Sequence, residues 1–126
     1  MYLSGDTGLT SDMSAIVREY YGVGLAVINI GDIFTTGPEE AAFAASEMIR
    51  PASVIPSHVN EEATRGGFAT AGSRTARFLE LLSRRFGRND FDRKRGIGGI
   101  SVFLPLSGIT MEFNNKGRCE VGCQGR

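Results

Sequence analysis

The sequence is poor in the residues that build most metal and nucleophilic centres. Its 126 residues include a single histidine, His58, and two cysteines, Cys119 and Cys123. One imidazole cannot complete a zinc site, which takes three or four protein ligands. The CxxxC pair has no further Cys or His beside it and makes a poor zinc motif. It reads as two reduced thiols on a tail, with a local disulfide as the alternative in an oxidising compartment. Net charge is absent too, because 14 basic residues balance 14 acidic ones. Phosphate binding leans on positive charge, so nucleic acid is not expected as an obligatory partner. No apolar run approaches the roughly 20 residues of a membrane helix, and no membrane partner is expected. No basic segment precedes an apolar stretch at the start. The expected location is therefore cytoplasmic, although any targeting segment would lie upstream of Met1.

What is present suits one packed domain. Hydrophobic residues make up 41% of the chain, too many for disorder and enough for a core. The expectation is a single, partial domain over residues 1–126, with 114–126 as a flexible tail. Tyr2 to Ser4 reads as a strand end, running into Gly5-Asp6-Thr7-Gly8, a turn with one carboxylate at its tip. Thr10-Ser11-Asp12 offers a helix cap, followed by Met13, Ile16, Val17 and Tyr20 at helical spacing. Leu25 to Ile30 is a continuous β-prone run, as in a strand buried on both faces. Gly31 to Gly37 is a loop, and Pro38 opens a helix with Glu39 and Glu40 in its first turn. The alanines at 41, 42, 44 and 45 suggest close packing against a sheet. Pro51 ends that helix, and Ala52 to Ile55 reads as the next strand, ending at Pro56-Ser57-His58.

Strand, helix, strand, helix, strand in this space means βαβ units and parallel neighbours. Ligands in open α/β sheets collect at the carboxyl ends of strands. Asp6, the Asp32–Thr36 loop and His58 all follow strands, so they should share one edge of the sheet. Asp and His are donors that zinc, manganese and iron all accept. Further on, Val59 to Gly72 reads as an irregular loop, with solvated Glu61 and Glu62. Ser73 caps a helix to Arg85 that buries Ala76, Phe78, Leu79, Leu82 and Phe86. Gly87 to Gly99 is a charged, solvated loop; a phosphate-binding patch there is weakened by its interspersed acids. Ile100–Leu104 and Ile109–Phe113 read as a hairpin around Pro105 to Gly108, and Asn114-Asn115-Lys116-Gly117 as a turn.

Three blocks carry a resemblance: Ser4-Gly5-Asp6-Thr7-Gly8, the stretch Ile30-Gly31-Asp32-Ile33-Phe34-Thr35-Thr36-Gly37-Pro38-Glu39-Glu40, and Val54-Ile55-Pro56-Ser57-His58. In this order and spacing they resemble the metallo-β-lactamase superfamily. Within it they are similar to the metal-dependent hydrolases related to L-ascorbate-6-phosphate lactonase. The resemblance implies an α/β fold: the C-terminal half of a metallo-β-lactamase αββα sandwich, βαβαβ followed by a helix and a β-hairpin. It puts the metal-bridging aspartate on Asp6 and a metal-ligating histidine on His58. The HxHxDH motif of that superfamily is absent from this chain. The complete protein would hold a divalent metal, two zinc or manganese ions. A metal-bound hydroxide would attack a lactone, ester or phosphodiester in a small-molecule substrate. Asp32, Thr35 and Thr36 would line the substrate pocket. A missing N-terminal half, or a second copy of the chain, would complete the site. The alternative is an inactive, truncated domain that serves as an interaction or dimerisation module.

Overall fold

The computed structural model of the protein describes residues 1–59, 64–86 and 99–123. Glu61, Glu62 and the charged stretch 87–98 lie outside the described residues. Four strands make the central sheet: β1 (Tyr2–Leu3), β2 (Leu25–Asn29), β3 (Ser53–Ser57) and β6 (Ser101–Val102). They lie in the order β1-β2-β3-β6, and every neighbour is parallel. Tyr2 faces Ala26, Leu25 to Asn29 pair with Ser53 to Ser57, and Ser53 faces Ser101. The parallel α/β architecture expected from the alternation is therefore present.

Parallel strands need crossovers, and helices supply them. The first is a π-helical segment at Met13–Arg18. The second is α1 (Pro38–Phe43), which continues as a π-helical segment at Ala44–Ile49. Pro38 occupies its first turn, and the Glu40 carboxylate accepts the Gly37 N–H at 3.2 Å. Arg50 ends it in a left-handed conformation ahead of Pro51. The alanines at 41, 42, 44 and 45 are wholly buried, so the helix backbone comes close to the sheet as expected. A third helix, α2 (Arg74–Phe86), begins at Ser73, whose hydroxyl accepts the Ala76 N–H. Phe78 and Leu82 drop from it into one core with Ala26, Ile28, Val54, Met13 and Ile49. On the surface, Arg77 reaches Glu39 of α1 and Glu80 of its own helix.

Several local expectations are corrected. Asp12 makes no side-chain cap, and the first helical segment winds wider than an α-helix, with i to i+5 bonds from Glu19 to Ser14 and from Tyr21 to Ile16. Met13 and Val17 stay buried, but Ile16 and Tyr20 swing out to solvent. The loop 59–72 contains a small antiparallel pair, β4 (Thr64–Arg65) with β5 (Phe68–Ala69). Residues 100–104 and 109–113 do not form a hairpin together. β6 joins β3 instead, and β7 (Glu112–Phe113) pairs antiparallel with β8 (Cys119–Val121). The Asn114 turn decides this, because the Asn114 side-chain oxygen accepts the Lys116 and Arg118 N–H groups, both at 3.0 Å. Residues 114–123 thus supply a turn and a strand where a tail is expected. Cys119 and Cys123 are joined in a disulfide rather than standing as two thiols. The hairpin turn sits against Gly24, where any Cβ would run into the Lys116 carbonyl. Among the described residues, no helix is long and apolar enough to cross a membrane.

Tyr2 gives the fold an alkaline signature. Its ring packs against the core, and burial, then the Asp12 carboxylate, push the phenol above its ordinary 10.0. The folded state therefore holds this proton more tightly than the unfolded chain. The resulting stabilisation is complete below pH 10.0 and is lost as pH rises through the higher folded value. Tyr2→Phe should flatten part of the alkaline fall in melting temperature, measured by circular dichroism across that range.

Candidate metal centre

Since β1, β2 and β3 are parallel, the turns that follow them emerge at one edge of the sheet. There His58 Nε2 lies 2.8 Å from Asp6 Oδ1. The two candidate ligands, 52 residues apart in sequence, share the edge that the parallel order predicts, and their side chains meet across the end of β2, which lies between β1 and β3. Both remain open to solvent, with 48% of the His58 side chain and 70% of the Asp6 side chain exposed. His58 takes a left-handed backbone, φ +60°, sparsely populated by residues other than glycine. That turn lays the imidazole against Gly31. A Cβ at Gly31 would lie 2.7 Å from His58 Nδ1, so only glycine leaves the ring its place.

The Asp6 turn is held from beneath by Asn29, which is fully buried at the end of β2. The Asn29 side-chain NH2 donates to the Gly5 carbonyl at 2.6 Å and, more weakly, to the Thr7 carbonyl at 3.5 Å. Its backbone N–H donates to the Ser4 hydroxyl at 3.1 Å. The Thr36 hydroxyl donates to the Asn29 backbone carbonyl at 2.8 Å and lies 3.2 Å from its side-chain oxygen. The Thr36 N–H in turn donates to the Thr7 carbonyl at 2.8 Å. One polar network thus joins the turn after β1 to the loop after β2.

The sequence reading misses Asn29, although one signal stands in view. A carboxamide inside an apolar run must find partners when the strand is buried. Thr36, expected to line a substrate pocket, is 2% exposed with its hydroxyl committed to Asn29. That bond ties the loop to β2. Thr35 is half-buried, with its hydroxyl 3.5 Å from the Thr36 carbonyl. Asp32 is exposed at the same edge, and its carboxylate accepts the Ile33 N–H at 2.8 Å. Asp32 and Ile33 both take left-handed backbones, and Ile33 and Phe34 stand 78% and 93% exposed at the loop tip.

The chemistry of the pair suits a divalent metal. Asp oxygen and imidazole nitrogen, each on a short turn after a rigid strand, are ligands for zinc, manganese or iron. They form part of a site rather than a whole one. Among the described residues, no group of three or more His, Cys, Asp or Glu side chains could hold a metal ion.

Gly31→Ala tests the geometry directly. The added methyl should push the imidazole off Asp6, which shows as a shift of the His58 ring resonances in proton–nitrogen NMR spectra. Gly8→Ala is the control, because a Cβ there meets nothing within 4 Å. His58 resonances that move equally in both variants would break the proposed packing of the ring on Gly31.

No protein-family model matches the chain. Individual relatives do. A UPF0173 metal-dependent hydrolase of Pyrobaculum islandicum is 45% identical over 60 residues, which are 48% of this chain and 26% of that protein. One from Pelotomaculum thermopropionicum is 50% identical over 60 residues, again 48% of this chain and 25% of the relative. One from Desulfitobacterium hafniense is 40% identical over 86 residues, 68% of this chain and 33% of the relative. The chain therefore matches about a quarter to a third of the length of these relatives. Among solved structures, Igni18, a metallo hydrolase from the hyperthermophilic archaeon Ignicoccus hospitalis, aligns with a TM-score of 0.48 and 24% identity, covering 87% of this chain and 40% of that one. Through the stretch that matches them, this chain is related to the UPF0173 metal-dependent hydrolases, the kind of protein its three motif blocks resemble.

Proposed function

We propose that the chain contributes Asp6 and His58 to the metal centre of a metal-dependent hydrolase. The observation that carries this reading is the 2.8 Å approach of the two side chains at the carboxyl edge of a parallel sheet. Relatives named as metal-dependent hydrolases, 40% to 50% identical in the matched stretch, support it. Two ligands fall short of a complete site, so the others come from outside the described residues. With most of its side chain exposed, Asp6 would serve together with His58 as a ligand to a divalent metal, zinc or manganese. When bound, such a metal supplies Lewis acidity and activation of water. The chain's own residues hold the donors in place: Gly31 seats the imidazole, and the turn at Gly5–Thr7 presents the carboxylate. The substrate is a small molecule with a lactone, ester or phosphodiester bond. Metal analysis of the full-length protein tests the assignment. Asp6→Asn and His58→Ala should each lower bound metal, and metal content equal to that of the unaltered protein would remove both residues from the site.

A second reading rests on a different observation. Alternate residues of a strand face opposite sides of the sheet. Ala26, Ile28 and Val54 face the helices, so Leu3, Val27 and Ile55, paired side by side, face the other way. Leu3 is 62% exposed, and Val27 and Ile55 are only partly buried. Such a row is suited to packing against a second layer, as in an αββα sandwich, or against another copy of the chain. In this reading the chain is an association module. Light scattering on the isolated chain should then show dimers or larger species; a monodisperse monomer would count against it.

A further inference from the structure

We infer that Asn29 is the positioning residue of Asp6, setting the direction of its carboxylate through the backbone on either side of it. The inference rests on the reading of Asp6 as a metal ligand. Its basis is geometric. The Asn29 NH2 donates to the carbonyls of both Gly5 and Thr7, the residues that flank Asp6. Carbonyl oxygens only accept, so the NH2 end of the carboxamide must face the turn. The Thr36 hydroxyl, which donates to the Asn29 backbone carbonyl at 2.8 Å, lies 3.2 Å from the side-chain oxygen at the other end of the carboxamide. The Ser4 hydroxyl accepts the Asn29 N–H and itself donates to the Gly5 carbonyl at 3.0 Å, which closes the clamp on the near side. Asn29 has no exposed surface, so water cannot take over these bonds. A turn tethered on both sides of one residue has little freedom to rotate that residue's side chain away. Asn29 touches no metal or substrate in this scheme; it acts through Asp6.

The scheme separates positioning from plain core packing. Asn29→Leu keeps the branched four-atom skeleton of the side chain and removes every side-chain bond to the turn. Val54→Ala, a buried change on β3 away from the turn, serves as the destabilised control. In the full-length protein, Asn29→Leu should weaken Mn2+ binding about 10-fold by titration calorimetry, the order typical of outer-shell ligand supports. In the metal-free protein it should also speed amide hydrogen exchange at Thr36, whose N–H bonds to the Thr7 carbonyl. Val54→Ala should lower the melting temperature and move neither quantity. Thr36→Val, which deletes only the hydroxyl, should act in the same direction as Asn29→Leu and less strongly, and it stands in if Asn29→Leu does not fold. Unaltered Mn2+ affinity in a folded Asn29→Leu or Thr36→Val protein would overturn the inference, provided that Asp6→Asn weakens binding. If Asp6→Asn itself leaves Mn2+ affinity unchanged, the ligand reading fails first and the inference falls with it.

Discussion

Parallel pairing of β2 with β1 and β3 is the constraint on which the rest of the structure depends. A parallel neighbour cannot be reached by a tight turn, so each step across the sheet carries a helical crossover. The crossovers must lie close to the sheet to bury its apolar face, and the run of alanines in the second one makes this possible. Ile28, Ile30 and Val54 then share a core with Met13, Phe78 and Leu82. The same constraint sends the chain out of every central strand in one direction. The turns bearing Asp6 and His58 have no other edge to occupy, and the left-handed turn at His58, laid over Gly31 at the end of β2, brings them within 2.8 Å.

At that edge the main energetic pressure is the burial of polar groups. Asn29 sits where its neighbours in the strand are apolar, and an unpaired buried amide costs about 1–3 kcal/mol. Its partners are the carbonyls of the Asp6 turn and the hydroxyls of Ser4 and Thr36. The network that relieves this cost also stiffens the loops around the candidate ligands. Backbone strain concentrates in the same place, with left-handed conformations at Asp32, Ile33 and His58. Strained non-glycine residues persist only where their surroundings over-determine them, and they gather at functional sites. Packing of His58 against a glycine, where no side chain could fit, belongs to the same pattern.

The opposite end of the sheet is built differently. There the Asn114 turn of the β7–β8 hairpin rests on Gly24 at the start of β2, while Phe113 of β7 reaches back to Phe103, just after β6, edge to face at 5.6 Å. A disulfide joins Cys119 at the start of β8 to Cys123 just beyond its end. One end is thus covered by the packed hairpin turn, and the other carries exposed polar donors on turns. This polarity suits a chain whose chemistry is proposed to lie at one edge only.

Much of this was open to a reader of the sequence. The β-prone run at Leu25–Ile30, Pro38 with its glutamates and the serine before α2 are local signals, and local physics decides them. The shared edge of Asp6 and His58 was legible as well, because right-sized connections between strands leave parallel order as the simple solution. Other features depended on what each segment meets in space. The π-helical winding moved Ile16 and Tyr20 from the core side to solvent, although their spacing suits an α-helix. Pairing of β6 with β3 and of β7 with β8 is a competition between distant partners, which no single segment reports. Thr36 carries the same hydroxyl in a pocket or in a tether, and only the presence of Asn29 beside it assigned it to the tether. Sequence by itself determined the strand–helix alternation up to His58 and the chemistry of the candidate ligands, since these rest on residue type and short-range spacing. Tertiary structure alone decided which polar groups are buried together, because the cost of an unpaired group exists only once water has been excluded.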